Sequence, residues 1–230
     1  CAFMDHYDPR TVYSSIDRNG RYAFGNQPAI GQWNIARLAE ALLALLDDDQ
    51  DKAVAMANAA VARFMDRFQD HWKAVIRAKI GLGAEEDDDD QGLIRDLMVT
   101  LYEQKADYTL AFRRLADAAE SEAADAALED LLETPGTLAP WLALWRARLA
   151  REAGTPQARA AAMRNANPAF IPRNHKVEEA LAAAVDHGDF SLFSALNDVL
   201  ARPYEDQPAF AAYALPPRPG EEITATFCGT

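Results

Sequence analysis

A chain of 230 residues, half of them hydrophobic, can bury a sizeable core in one or two domains. Its 36 acidic residues outnumber 23 basic ones, and the net charge of −13 argues against a polyphosphate partner such as nucleic acid. No apolar run reaches the roughly 18 residues of a membrane span, because Glu40, Arg63 and Arg146 interrupt the best ones.

Alanine and leucine dominate, and two-residue alternation is scarce, so the expected fold class is mainly α. Residues 1 to about 30 combine Pro9, Gly20, Gly25, Pro28 and Gly31 with many polar side chains and read as an irregular segment. From Gln32, the spacing of Ile35, Leu38, Leu42, Leu45 and Leu46 predicts a helix that ends at Asp47 to Asp51. Val54, Ala57, Val61, Phe64, Phe68, Trp72 and Val75 form the longest stripe, halted by Gly81 and Gly83.

The run Glu85 to Asp90 reads as a solvated loop. It lacks the ligand spacing of a calcium loop. Helices resume at Leu93, Leu97 and Leu101, at Tyr108, Phe112, Leu115 and Ala119, and at Leu138, Trp141, Leu142, Trp145 and Leu149, with Pro135-Gly136 as a break. Gly154 then supplies a stop, Thr155 an N-cap and Pro156 a first helical residue. Asn167-Pro168 and Ile171-Pro172 frame a rigid connector, after which Asn174 is expected to cap a helix carrying Val177, Leu181 and Val185. Asp189 is expected to cap the helix of Phe190, Phe193, Leu196 and Leu200, and an extended tail follows from Pro216.

Few residues offer chemistry. Asp5, His6 and Asp8 could be metal ligands by type, but acidic oxygens beside a proline more often satisfy local amides, so no ligand is assigned. Arg21 has the fork geometry to reach a phosphate or carboxylate, and equally to pin its own loop. His71, His175 and His187 are scattered as surface or capping residues, and Trp33, Trp72, Trp141 and Trp145 fall on apolar helix faces as core. Two cysteines, Cys1 and Cys228, are too few for a disulfide scaffold and are expected as free thiols; with no secretion signal, a cytoplasmic setting fits. The first residue is not a methionine, so the start reads as a cut.

Four stretches together resemble the selenoprotein O family: Cys1 through Asn34 with Tyr7-Asp8-Pro9 and Gly20-Arg21-Tyr22, Asn167 through Glu179, Ala201 through Pro208, and the tail around Cys228. The resemblance implies the C-terminal helical region of a kinase-like (pseudokinase) fold, divided into an activation-loop-like segment (1–31), a helical domain (32–215) and an extended tail (216–230). It implies a protein adenylyltransferase that uses ATP and magnesium to place AMP on Ser, Thr or Tyr hydroxyls. The Gly-rich loop, lysine, Asp-Asn pair and metal-binding aspartate of the family belong upstream of residue 1, so no catalytic, cofactor or metal residue is expected in this chain, which alone should be inactive.

The expected partners are the N-terminal kinase-like half and protein substrates. Arg21 falls in the activation-loop-like segment, as a residue for loop or substrate placement. Cys228 takes the place of the selenocysteine of animal members, which suggests a redox role. Some bacterial relatives pair this tail cysteine with one in the activation-loop segment, but Tyr13 stands at the matching position, leaving Cys1 as a substitute. A different reading of the same residues is a helical interaction module without catalysis.

Overall fold

The computed structural model describes residues 2–83 and 89–227. It is mainly helical, as the composition predicts, with no strand among the described residues and one isolated antiparallel bridge between His6 and Asp107. The helices are α1 (Gln27–Leu46), α2 (Gln50–Lys79), α3 (Asp90–Glu103), α4 (Tyr108–Glu120), α5 (Asp125–Glu129), α6 (Ala139–Leu149), α7 (Pro156–Ala166), α8 (Asn174–His187), α9 (Ser191–Leu200) and α10 (Ala211–Ala214).

The first helix starts at Gln27, five residues before the predicted Gln32, because Pro28 lies in its first turn, where a missing N–H costs nothing. Its partner α2 is entered through Asp49, whose carboxylate accepts from the amides of Asp51 and Lys52. The two helices pair closely at Gly31, where a Cβ would stand 3.0 Å from the Phe64 ring.

The main core lies beyond this hairpin. It joins Ile76 and Ile80 from the end of α2 to Leu93, Leu97 and Leu101 of α3, Phe112 and Leu115 of α4, and Trp141, Trp145 and Leu149 of α6. The buried indoles are satisfied, with Trp141 Nε1 donating to the Leu93 carbonyl and Trp145 Nε1 to that of Ile80, each at 2.8 Å. Gly81 ends α2 with φ +78, and a Cβ there would meet Met163 Sδ at 2.7 Å, so only glycine lets α7 pack this near. Thr155 caps α7 as predicted, its Oγ1 accepting from Ala158.

Several expectations need correction. Trp33 and Trp72 are 45% and 44% exposed, unlike Trp141 and Trp145, because α1 pairs chiefly with α2 and neither helix enters the main core before Ile76. The predicted solvated run Glu85 to Asp90 lies outside the described residues at 84–88, but its last member, Asp90, opens α3 with its side chain buried between Arg77 and Arg148. Arg148 donates from Nε to Asp90 Oδ1 at 2.7 Å, so the charge is paired where it is desolvated. Asn174 makes no capping bond; its side chain instead accepts from Phe3 N–H and donates to Phe3 O, at 2.9 and 2.8 Å. The faces of α8 and α9 are less covered than their stripes suggest, with Val185 81% and Phe193 48% exposed.

Asp189 is not the N-cap of α9, a position held by Phe190 without a side-chain bond, but one residue earlier its Oδ1 accepts from Ser191 N–H at 2.9 Å, which holds its carboxyl below the ordinary range. His175 is half-buried rather than a surface residue, and burial lowers its pKa.

Candidate functional site

The irregular N-terminal segment is fastened to the helical body chiefly by one arginine. Arg173 ends the Pro168–Pro172 connector with its side chain fully buried, donating from Nη1 to Asp5 Oδ1 and to Asp107 Oδ2, both at 2.6 Å. Nη2 adds bonds to Asp107 Oδ1 at 3.1 Å and to the Ala214 carbonyl at 2.8 Å. One planar fork thus joins the N-terminal segment, the start of α4 and the chain near α10, a use that lysine's point charge would not serve. Asp107 also caps α4 by accepting from Leu110 N–H. The backbone seals the same seam, with Tyr7 N–H donating to Ala106 O at 3.0 Å and Tyr108 N–H to Asp5 O at 2.8 Å.

Above this seam sits an aromatic cluster. Tyr7 stacks on Tyr108 at 5.5 Å between ring centres, while Phe24 meets both edge-on, at 6.1 and 6.2 Å. Lys79, the last residue of α2, reaches in from below, with Nζ 4.7 Å from the Phe112 ring centre and 5.8 Å from that of Tyr108. Burial lowers the Lys79 pKa from 10.5 to about 8 and pushes the Tyr108 phenol up to about 12.

Further along, Asp17 folds the segment into a turn, its two carboxylate oxygens accepting from Arg21 and Tyr22 N–H at 2.9 and 2.7 Å. That turn lays the exposed Arg21 guanidinium over the Trp33 ring at 4.6 Å and the Tyr22 ring at 5.7 Å. Arg37 stacks on the same indole at 5.4 Å. This explains why Trp33 is left outside the core: its face is a platform for two guanidinium groups. Arg21 therefore sits where it can meet an anionic group from outside without breaking an ion pair.

The tail returns to this surface. Ser15 N–H donates to Thr226 O at 2.7 Å, Thr226 N–H to Ser15 Oγ at 3.1 Å, and Thr226 Oγ1 to Tyr13 O at 3.2 Å. Cys1 and Cys228 lie outside the described residues. Asp5 and Asp8 are used in ion pairs, with Arg173 and Arg10, and Asp8 Oδ1 also accepts from the local Arg10 amide. Among the described residues no group of three or more His, Cys, Asp or Glu could hold a metal ion.

The stretches quoted for the sequence resemblance converge. Arg113 donates to the carbonyls of Arg164 and Asn167, each at 3.0 Å, and to Asp206 at 2.5 Å. The amides of Ala169 and Phe170 both donate to Pro203 O, so the Asn167–Pro172 connector and the Pro203–Asp206 turn form one unit. Arg173, Asp107, Lys79 and Tyr108 all escaped the sequence reading as site residues. Lys79 and Tyr108 stand on apolar repeats, four residues after Val75 and four before Phe112, and a lysine on such a repeat was the available signal.

The described residues thus form a helical body onto which the N-terminal segment is clamped, with Arg21 exposed on that segment. The chain belongs to the family described as protein adenylyltransferase SelO, whose model matches residues 1–201. Over all 230 residues it is 58% identical to the protein nucleotidyltransferase YdiU of Rhizobium rhizogenes (strain K84), covering 46% of that protein, and 59% identical to that of Rhizobium meliloti (strain 1021), covering 47%. Its identity to the protein nucleotidyltransferase YdiU of Rhodopseudomonas palustris (strain BisB18) is 50%, again over 46% of that protein. The chain thus spans about half the length of the curated relatives it matches.

Proposed function

We propose that this chain is the C-terminal part of a protein adenylyltransferase that transfers AMP from ATP to Ser, Thr or Tyr hydroxyls of protein substrates. The supporting observation is the match along the whole chain to proteins named as nucleotidyltransferases, with the matched N-terminal segment held on the helical body by Arg173. In this reading residues 1–31 serve as an activation-loop-like segment, 32–215 as the helical lobe beneath it and 216–230 as a tail across its surface. In the transfer the hydroxyl oxygen bonds to the α-phosphorus, the bond to pyrophosphate breaks and the hydroxyl proton passes to a base. ATP, magnesium and that base are assigned to the half of the protein that the relatives possess beyond this chain.

Arg21 is the positioning residue of this chain. Its guanidinium is oriented by Trp33 and Tyr22 and faces solvent, suited to steering an acidic group of the protein substrate or a phosphate oxygen. The whole enzyme should work in the cytoplasm.

The test is to join the chain to the residues encoded upstream in its own reading frame and supply ATP labelled at the α-phosphate. Label should pass to protein with the longer form and not with the 230-residue chain alone. A longer form that binds ATP but leaves every protein unlabelled would overturn the reading. A helical interaction module would then be favoured, for which the uncovered apolar side chains of α1 are the pertinent observation.

A further inference from the structure

Beneath the N-terminal segment lies a cavity of about 500 Å³ that the transfer reading does not use. Phe24 and Ile171 contribute apolar wall, and Tyr13, Gln27, Lys79 and Tyr108 contribute polar atoms. Lys79 is the cation here. Two aromatic faces flank its Nζ, at 4.7 and 5.8 Å, and among the described residues no carboxylate forms an ion pair with it. The arrangement stands apart in a chain of charge −13, where acids are plentiful and the buried arginines, Arg77, Arg113, Arg148 and Arg173, all hold carboxylates.

A desolvated ammonium without a counter-charge is unfavourable, and ring faces compensate only in part. Tyr108 keeps its proton to about 12, so its hydroxyl stays a hydrogen-bond donor on a residue that lines the same cavity as Lys79. Donors of this kind around a half-enclosed apolar space match a ligand with a negative head and an apolar or aromatic body.

We propose that this cavity binds an anionic group, a carboxylate or phosphate on an apolar or aromatic body, with an anionic oxygen at Lys79 Nζ. The anion has two sources of the same chemistry: a free small molecule, or an acidic side chain from the part of the protein that the relatives have beyond this chain.

Titration of Lys79 separates the cases. The lysines are ¹³C-methylated, which keeps their charge, and followed by NMR from neutral to alkaline pH. The Lys79 resonance is assigned by its loss in Lys79→Arg, or by its ring-current shift from Phe112 should that variant not fold. Pairing with an anion should raise the Lys79 midpoint by about one unit or more, whereas mere apolar cover would lower it further. A rise on adding AMP or inorganic phosphate to the 230-residue chain identifies a free anion. A rise only in the longer protein, with no added anion, identifies an internal carboxylate. A midpoint that stays put in every sample, or falls in the longer protein, overturns the proposal whatever the outcome of the AMP-transfer test.

Discussion

Arg173 and Asp107 meet as a two-pronged pair, Nη1 to Oδ2 at 2.6 Å and Nη2 to Oδ1 at 3.1 Å, with the guanidinium wholly withdrawn from solvent. Removing the arginine would leave Asp107 charged and buried beside a second acid, Asp5. We predict that Arg173→Leu destabilises the chain by about 3–5 kcal/mol in urea unfolding. Limited proteolysis should then cut first between residues 5 and 25, the segment that loses its anchor. Arg173→Lys should recover part of the loss, since it restores charge but not the fork.

A pH dependence follows from Lys79. Its pKa falls from 10.5 to about 8 on burial, so between those values the unfolded chain binds more protons than the folded one. Stability should therefore rise as pH climbs from about 8 toward 10.5, and be lost again as pH falls back through 8. Tyr108 acts in the opposite sense above 10.0, since burial holds its phenol protonated to about 12. The net gain is thus confined to the range from about pH 8 to 10. Urea midpoints measured across that range should rise in the parent chain and stay flat in Lys79→Met.

The first helix has no buried residue, yet Ile35, Leu38, Leu42 and Leu45 are 37%, 53%, 37% and 81% exposed along it. A helix whose apolar stripe is left open is suited to packing against a further surface. The isolated chain should bind a hydrophobic dye and self-associate in sedimentation experiments, and Leu38→Glu with Leu45→Glu should reduce both. A compact monomer that ignores the dye would count against an uncovered face.

Arg21 makes no ion pair among the described residues and lies at the surface, so Arg21→Ala should shift stability by no more than about 0.5 kcal/mol. In the longer protein the same change should lower AMP transfer to protein substrates by raising KM more than it lowers kcat. Equal transfer by parent and variant would remove Arg21 from substrate placement.

Much of the helical plan was legible in the sequence because it rests on local physics. The stripes of α3, α4 and α6 are buried where their periods put them, and Thr155-Pro156 opens α7 as its capping chemistry requires. Periodicity shows which side of a helix is apolar but not whether anything covers it, so Trp33 and Trp145 looked alike and are 45% and 0% exposed. Asp90 looked like the end of a solvated run because its partners, Arg77 and Arg148, are 13 and 58 positions away. The anchor between Arg173 and Asp5 spans 168 positions and has no local signature. Lys79 showed locally only as a lysine on an apolar repeat, its surroundings being assembled from the N-terminal segment, α4 and the connector at Pro168.

The meeting of Ser15 and Thr226 closes a loop of 211 residues, through hydrogen bonds that stay within reach of water. Closure entropy grows only slowly with loop length, but such a contact requires nearly all the intervening chain to be in place first. The clasp is therefore expected to open ahead of the core, which its hydrogen bonds do not touch. Amide exchange at Ser15 thus gives a direct reading of how often the tail lifts from the N-terminal segment while every helix stays folded.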